Sequence, residues 1–217
     1  MSTANKIFTN TLWQVIIRVI NILIGVFSLA LITRMLGKAG FGFYTTIFAF
    51  VQMFAILADL GLYMAMLREI SSVKDKVSEN KIINNIFTIR LVSSLLMLVL
   101  IPLVIQFFPY DQAVKTGVIF FMGTFFFQTL ITTLTAVFSK KLDMAKVAFI
   151  DFVNKLLYAG FLLYLFFYGF SLHTIVLGNS FTMGVSFILL LFFIRRHIKL
   201  SLAWDFKYWK TVWHRSW

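Results

Sequence analysis

Apolar residues run along this chain in long blocks separated by short polar and basic connections, and the polar residues inside the blocks keep a helical beat. Asn10, Gln14, Arg18, Asn21, Gly25 and Ser28 follow one another at spacings of four, four, three, four and three, which draws one stripe down a helix. Thr45, Gln52 and Asp59 repeat every seven residues, and Gln128, Thr132, Thr135 and Ser139 mark a third stripe. A weaker one, Gly178, Asn179, Thr182 and Ser186, equally fits close helix packing through small residues.

The blocks have the length of membrane crossings. Residues 39 to 58 carry no charge, about what a hydrocarbon core of roughly 30 Å requires. Six spans are expected, at about 10–33, 41–66, 83–108, 116–138, 147–168 and 175–194. Residues 156 to 194 are also uncharged, but as one helix they would reach about 58 Å. The stretch from Gly169 to Thr174 is the natural turn between the last two spans. The first block is too long for a signal peptide and lacks a small-residue cleavage site.

Composition agrees: 60% of the 217 residues are hydrophobic and 13% charged, with a mean hydropathy of +0.91, an all-α integral membrane protein. The net charge of +12 gathers in the connections, which argues orientation rather than nucleic-acid binding. With the N-terminus inside, fourteen Lys and Arg lie on the inner side and three, Arg34, Lys38 and Lys115, on the outer. Both ends are therefore expected in the cytoplasm, in a multi-pass protein of the cytoplasmic membrane. There is no cysteine, so no disulfide or thiolate metal site. No nucleotide loop, paired-histidine motif or serine-histidine-acid spacing stands out, so neither enzyme activity nor a cofactor is expected.

Charges inside the spans are the chemical leads, because each is costly in hydrocarbon. Arg18, Asp59, Arg90 and Lys155 all fall about 12 to 15 Å from the inner end of their helices. A shared level suggests one wet cavity with a basic surplus, lined further by Gln14, Asn21, Gln52 and Thr132. Plainer readings stand beside this one. Arg90 either faces the cavity or snorkels to the interface. Lys155 and Asp151, four apart, either serve the cavity or neutralise each other. Arg18 either binds an anion or bridges to Asp59.

The turn Arg34-Met35-Leu36-Gly37, then Gly40-Phe41-Gly42 with Tyr44, then Ala58-Asp59-Leu60-Gly61-Leu62 and Arg68, resembles the opening of the polysaccharide-export and O-antigen type flippases. These belong to the multidrug/oligosaccharidyl-lipid/polysaccharide exporter superfamily. The resemblance implies one lobe of a two-lobed transporter of 12 to 14 helices, here residues 1–197, and hence a truncated gene or a fragment. Residues 198–217 would form a cytoplasmic interfacial segment, with Phe206, Trp209, Trp213 and Trp217 on one helix face. A second lobe, another copy or polysaccharide synthesis proteins would cover the polar stripes.

The function so implied is flipping of an isoprenoid-pyrophosphate-linked oligosaccharide, with membrane lipids around it. Arg18, Arg90 and Lys155 would face the pyrophosphate. Asp59 and Asp151 would pair with them or couple an ion. Two other readings remain: a multidrug cation antiporter, which would want an acidic cavity, and a non-transporting membrane partner of a polysaccharide synthase.

Overall fold

The structure is a computed structural model that describes residues 3–59, 61–196, 198–205 and 208–210, with side chains described from residue 15 onward. Helices α1 (Thr3–Asp59), α2 (Leu62–Ser72), α3 (Lys76–Val104), α4 (Gln112–Lys140), α5 (Met144–Tyr168) and α6 (Leu172–Ile194) follow one another, and one 3-10 turn, Ile105–Phe107, extends α3. Among the described residues there is no strand. Five helical segments, Val15–Ser72, Lys76–Phe107, Gln112–Lys140, Met144–Tyr168 and Leu172–Ile194, are long and apolar enough to cross a membrane.

The first of these is not a single traverse, because Gly37 sits within α1 at φ 64° and ψ −173°. That conformation is open to glycine and strained for any L side chain. It divides α1 into limbs of residues 3–36 and 38–59. Asn21 of the first limb bonds Asp151 near the start of α5, and the Arg34 guanidinium lies 5.8 Å from the Phe166 ring near its end, so this limb runs with α5. The second limb runs with α4: Ile47 meets Gly117 near the start of α4, and Ala58 lies level with Thr129. Helix α6 is parallel to α4, as Ser180 against Thr124 and Gly184 against Phe127 require. It is antiparallel to α5, where Tyr158 meets Ile175 and Phe149 meets Phe193. The two limbs of α1 therefore point in opposite directions.

A second break falls where the sequence reads as one span, 41–66. The helix ends at Asp59 and restarts as α2 after Gly61, which adopts a left-handed φ of 72°. The turns at 73–75 and 141–143 and the segment 198–205 come together at one end, tied by the Lys140–Glu79 ion pair, the Lys140 bond to the Val73 carbonyl and the bonds of Asn84 to Lys199 and Ser201. Gly37, the 105–111 connection and the 169–171 turn gather at the other.

Three apolar clusters fill the bundle. Met66, Ile70, Ile83, Leu134, Phe138 and Ile194 pack near the first end. Ile47, Val51, Ile101, Val118 and Phe121 join the second limb to α3 and α4, while Ile32, Met35, Leu162 and Ile175 join the first limb to α5 and α6. The outer side of the first limb, including Val15, Val19, Leu23 and Val26, is about half or more exposed, as a lipid-facing side should be. Helix approach is close where small residues permit it: a Cβ on Gly178 would lie 2.1 Å from the Phe161 ring.

Residues 198–205 do not continue a helix. They run extended along α3, and every second backbone N–H is taken by a side chain: Ser201 N donates to Asn84 Oδ1 at 3.0 Å, Ala203 N to Thr88 Oγ1 at 3.0 Å and Asp205 N to Asn85 Oδ1 at 3.2 Å. The Lys81–Asp205 ion pair and the bond from the Tyr208 hydroxyl to Glu69 fasten its far end. Of the aromatic stripe, Phe206, Trp213 and Trp217 lie outside the described residues.

Candidate functional site

The break after Asp59 organises the first group of polar side chains. A helix end leaves its last carbonyls without intrahelical partners, and inside a membrane bundle these must be met by protein. Arg90 of α3 meets them. Its Nη1 donates to the Ala58 carbonyl at 2.5 Å, its Nε to the Thr129 carbonyl of α4 at 3.2 Å, and its Nη2 lies 3.1 Å from an Asp59 carboxylate oxygen. The Arg90 side chain is 2% exposed. It does not snorkel, and it ties three helical segments together.

Asp59 keeps 37% of its side chain accessible and opens, with Arg90, on a cavity of about 200 Å³. Gln52, Phe121, Phe125 and Gln128 form other parts of its wall. Gln52 and Asp59, seven residues apart, both line this space, while Thr45, the third member of their repeat, does not.

The second group lies between the first limb of α1 and helices α4, α5 and α6, around a cavity of about 630 Å³. Arg18, Asn21, Asp151, Asn154, Thr132 and Ser186 contribute its polar lining. Gln128 and Thr132 line both cavities, so the two share one wall of α4. Of the four charges expected at one level, Asp59 and Arg90 line the smaller space and Arg18 the larger, which Asp151 also lines. The Thr132 hydroxyl is spent on the Gln128 carbonyl at 2.9 Å, and Lys155 lines neither space.

Lys155 instead lies 3.4 Å from Asp151 Oδ2, one turn along α5. The same carboxylate oxygen accepts from Asn21 Nδ2 at 2.7 Å, which joins the first limb to α5. Arg18 makes no ion pair among the described residues, and it is exposed on the cavity wall. The bridge between Arg18 and Asp59 does not form, because Asp59 is held by Arg90. Gln14 lies outside the described side chains.

The cavities differ in what they could accept. Small-molecule sites commonly measure about 300 to 1,000 Å³, a range that contains the larger space and excludes the smaller. With Asp151 neutralised by Lys155, the unpaired charge in the larger space is the Arg18 guanidinium, so an anionic group is the chemistry it favours. The group of three or more His, Cys, Asp or Glu that a metal ion would call for is absent among the described residues.

Asn154 was missed from the sequence although its signal was present: it lies three residues after Asp151 and so on the same helical face. It is 8% exposed, and its Oδ1 has no hydrogen-bond partner among the described residues. The Asn21 Oδ1, on a side chain 4% exposed, is in the same condition. A buried polar atom left unmatched costs about 1 to 3 kcal/mol, so each of these oxygens is a local cost inside the bundle.

Residues 7–211 match a family model described as "Polysaccharide biosynthesis protein". No curated protein and no solved structure matches the chain.

Proposed function

The chain belongs to that family of polysaccharide biosynthesis proteins, and we propose that it flips an isoprenoid-pyrophosphate-linked oligosaccharide from the inner to the outer leaflet of the cytoplasmic membrane. The observation that carries this reading is the unpaired Arg18 on the wall of the 630 Å³ cavity. A pyrophosphate must shed water to enter a bundle, and a guanidinium compensates that loss with charge-assisted, forked hydrogen bonds. Arg18 takes the role of anion ligand, while Asn21, Gln128 and Thr132 offer polar surface to the glycan and the isoprenoid stays in lipid. Arg90 and Lys155 act at one remove: Arg90 holds Asp59 and the helix break, and Lys155 neutralises Asp151. The 14-to-3 excess of basic residues favours cytoplasmic ends for the chain. A further lobe or a second copy would close the polar side, and rocking between such halves would give alternating access.

The test is the leaflet distribution of lipid-linked oligosaccharide in cells with the native gene, with the gene deleted, and with Arg18→Ala. Accumulation on the inner leaflet in both altered strains, at equal protein level, is the expected result. Unchanged distribution in the deletion strain would remove the flippase reading. A block in the deletion strain alone would keep the function and remove Arg18 from it.

A further inference from the structure

Helix α6 ends at Ile194, and its exposed apolar residues Leu177, Phe181, Ile188 and Phe192 recur at spacings of four, seven and four, one stripe turned toward lipid. Arg195 and Arg196 follow Phe192 by three and four residues, and both are exposed. The Arg195 guanidinium lies 4.1 Å from the centre of the Phe192 ring and that of Arg196 5.8 Å. One ring therefore holds two cations where the apolar helix stops, at the depth of lipid headgroups. We propose that Arg195 and Arg196 bind the phosphate of an anionic phospholipid of the phosphatidylglycerol type, whose chains lie along the stripe that ends at Phe192.

The charge around this ring favours such an occupant. Two guanidiniums on one ring repel each other, and neither makes an ion pair among the described residues. The acids tied to the segment that follows are engaged elsewhere, Asp205 by Lys81 and Glu69 by the Tyr208 hydroxyl. A phosphate between the two arginines relieves the repulsion and accepts forked, charge-assisted hydrogen bonds from both. A lipid also covers the exposed Phe181, Ile188 and Phe192, which a free phosphate leaves bare. A headgroup ammonium would meet two cations, so phosphatidylglycerol is favoured over phosphatidylcholine and phosphatidylethanolamine.

The site stands at a corner of the chain. Ile198 N still donates to the Ile194 carbonyl at 3.1 Å, and the extended segment then leaves for α3. Trp204, exposed on that segment and 5.5 Å from Trp209 ring to ring, is a side chain that the headgroup boundary enriches. A lipid held by the arginines fixes this corner at the membrane surface. The sequence counted Arg195 and Arg196 toward orientation alone, because the sharing of one ring is visible only in side-chain geometry.

The experiment offers the purified full chain in mild detergent an equimolar mixture of phosphatidylglycerol and phosphatidylcholine and counts the retained lipid by native mass spectrometry. The native protein is expected to prefer phosphatidylglycerol by about 25-fold, about fivefold for each arginine. Arg195→Gln with Arg196→Gln should bring the ratio near one. Lys74→Gln with Lys76→Gln, which removes two exposed cations from the same end of the bundle, should leave it unchanged. Phe192→Leu keeps both charges and the apolar surface but removes the shared ring, and should lower the ratio several-fold. Should the double glutamine variant not be recovered folded, Arg195→Lys with Arg196→Lys takes its place; it keeps the charge, loses the fork and should also lower the ratio several-fold.

Equal retention of the two lipids by the native protein would overturn the site. A loss in Lys74→Gln with Lys76→Gln as large as in the arginine pair would reduce the preference to diffuse attraction and overturn it as well. Displacement of the lipid by inorganic phosphate, with phosphate retained in its place, would assign the arginines to a free anion and remove the lipid. None of these outcomes depends on glycan transport, so the site and the flippase reading stand or fall separately.

Discussion

Arg90 donates to the Ala58 and Thr129 carbonyls and pairs with Asp59, so its removal strands three acceptors in a place water reaches poorly. Losing one partner of a buried ion pair costs about 3 to 5 kcal/mol. Because Asp59 keeps 37% of its side chain accessible, Arg90→Ala should cost less than that, about 1 to 3 kcal/mol, read as a lower midpoint of thermal unfolding in nanodiscs. Asp59→Asn leaves both carbonyl bonds in place and should cost less than half as much; an equal loss would show that the charge pair, not the carbonyls, is what Arg90 supplies. The sequence made Arg90 and Asp59 visible as charges at one depth. It could not pair them, because the choice between Arg18 and Arg90 as the partner of Asp59 depends on which helices are neighbours. The reversal at Gly37 sends Arg18 toward α5 and Asp59 toward α3 and α4.

The same limit recurs at the scale of the helix. Hydropathy alone read six spans, the first two of which lie in the single helical segment Val15–Ser72, but the break after Asp59 was not legible, since one glycine costs an intact helix only about 1 kcal/mol and apolar residues continue on both sides. Residues 198–205 were read with the amphipathic pattern that follows them, yet they run extended because Asn84, Asn85 and Thr88 offer their backbone better partners than a helix would. Asn84→Ala removes both the donor and the acceptor that hold Lys199 and Ser201, so limited proteolysis within 198–205 should quicken several-fold while the helices stay protected. Unaltered cleavage would mean that the Lys81 and Tyr208 contacts suffice to hold this segment.

The start of α3 permits a prediction with a sign. Ser78 N donates to the Asp75 carboxylate at 2.8 Å, and these Ser78 bonds hold the Asp75 carboxyl below its usual range. A depressed folded pKa gives stability that is present above the unfolded value of about 3.9 and lost as pH falls through the lower folded value. Asp75→Asn keeps a capping oxygen and removes the titration. It should therefore unfold somewhat below the native chain at neutral pH, where the carboxylate is ionised, and the difference should close as pH falls below about 4. A parallel decline of both proteins in acid would assign the pH sensitivity to other carboxylates.

At the scale of the whole molecule, the bundle sorts its connections to two ends, and the basic residues are sorted with them. Lys74, Lys76, Lys140, Lys141 and Lys199 lie at the end that carries the 73–75 and 141–143 turns and the extended segment, whereas Lys38 and Lys115 lie at the other. The polar stripes drew a cavity in the sequence, and the structure resolves it into two spaces that touch at Gln128 and Thr132, an arrangement that no single helix's period could encode. The proposed function depends on orientation, because under it Arg18 would receive cargo from the inner leaflet only if the 141–143 end is cytoplasmic. The chain has no cysteine, so single thiols report position cleanly. Lys38→Cys and Lys74→Cys replace exposed residues at opposite ends. In intact cells a membrane-impermeant maleimide should modify the first, and the second only after the membrane is permeabilised. The reverse pattern would place Arg18 toward the outer leaflet, and a flippase loading lipid-linked sugar from the cytoplasm could not use it as the entry ligand.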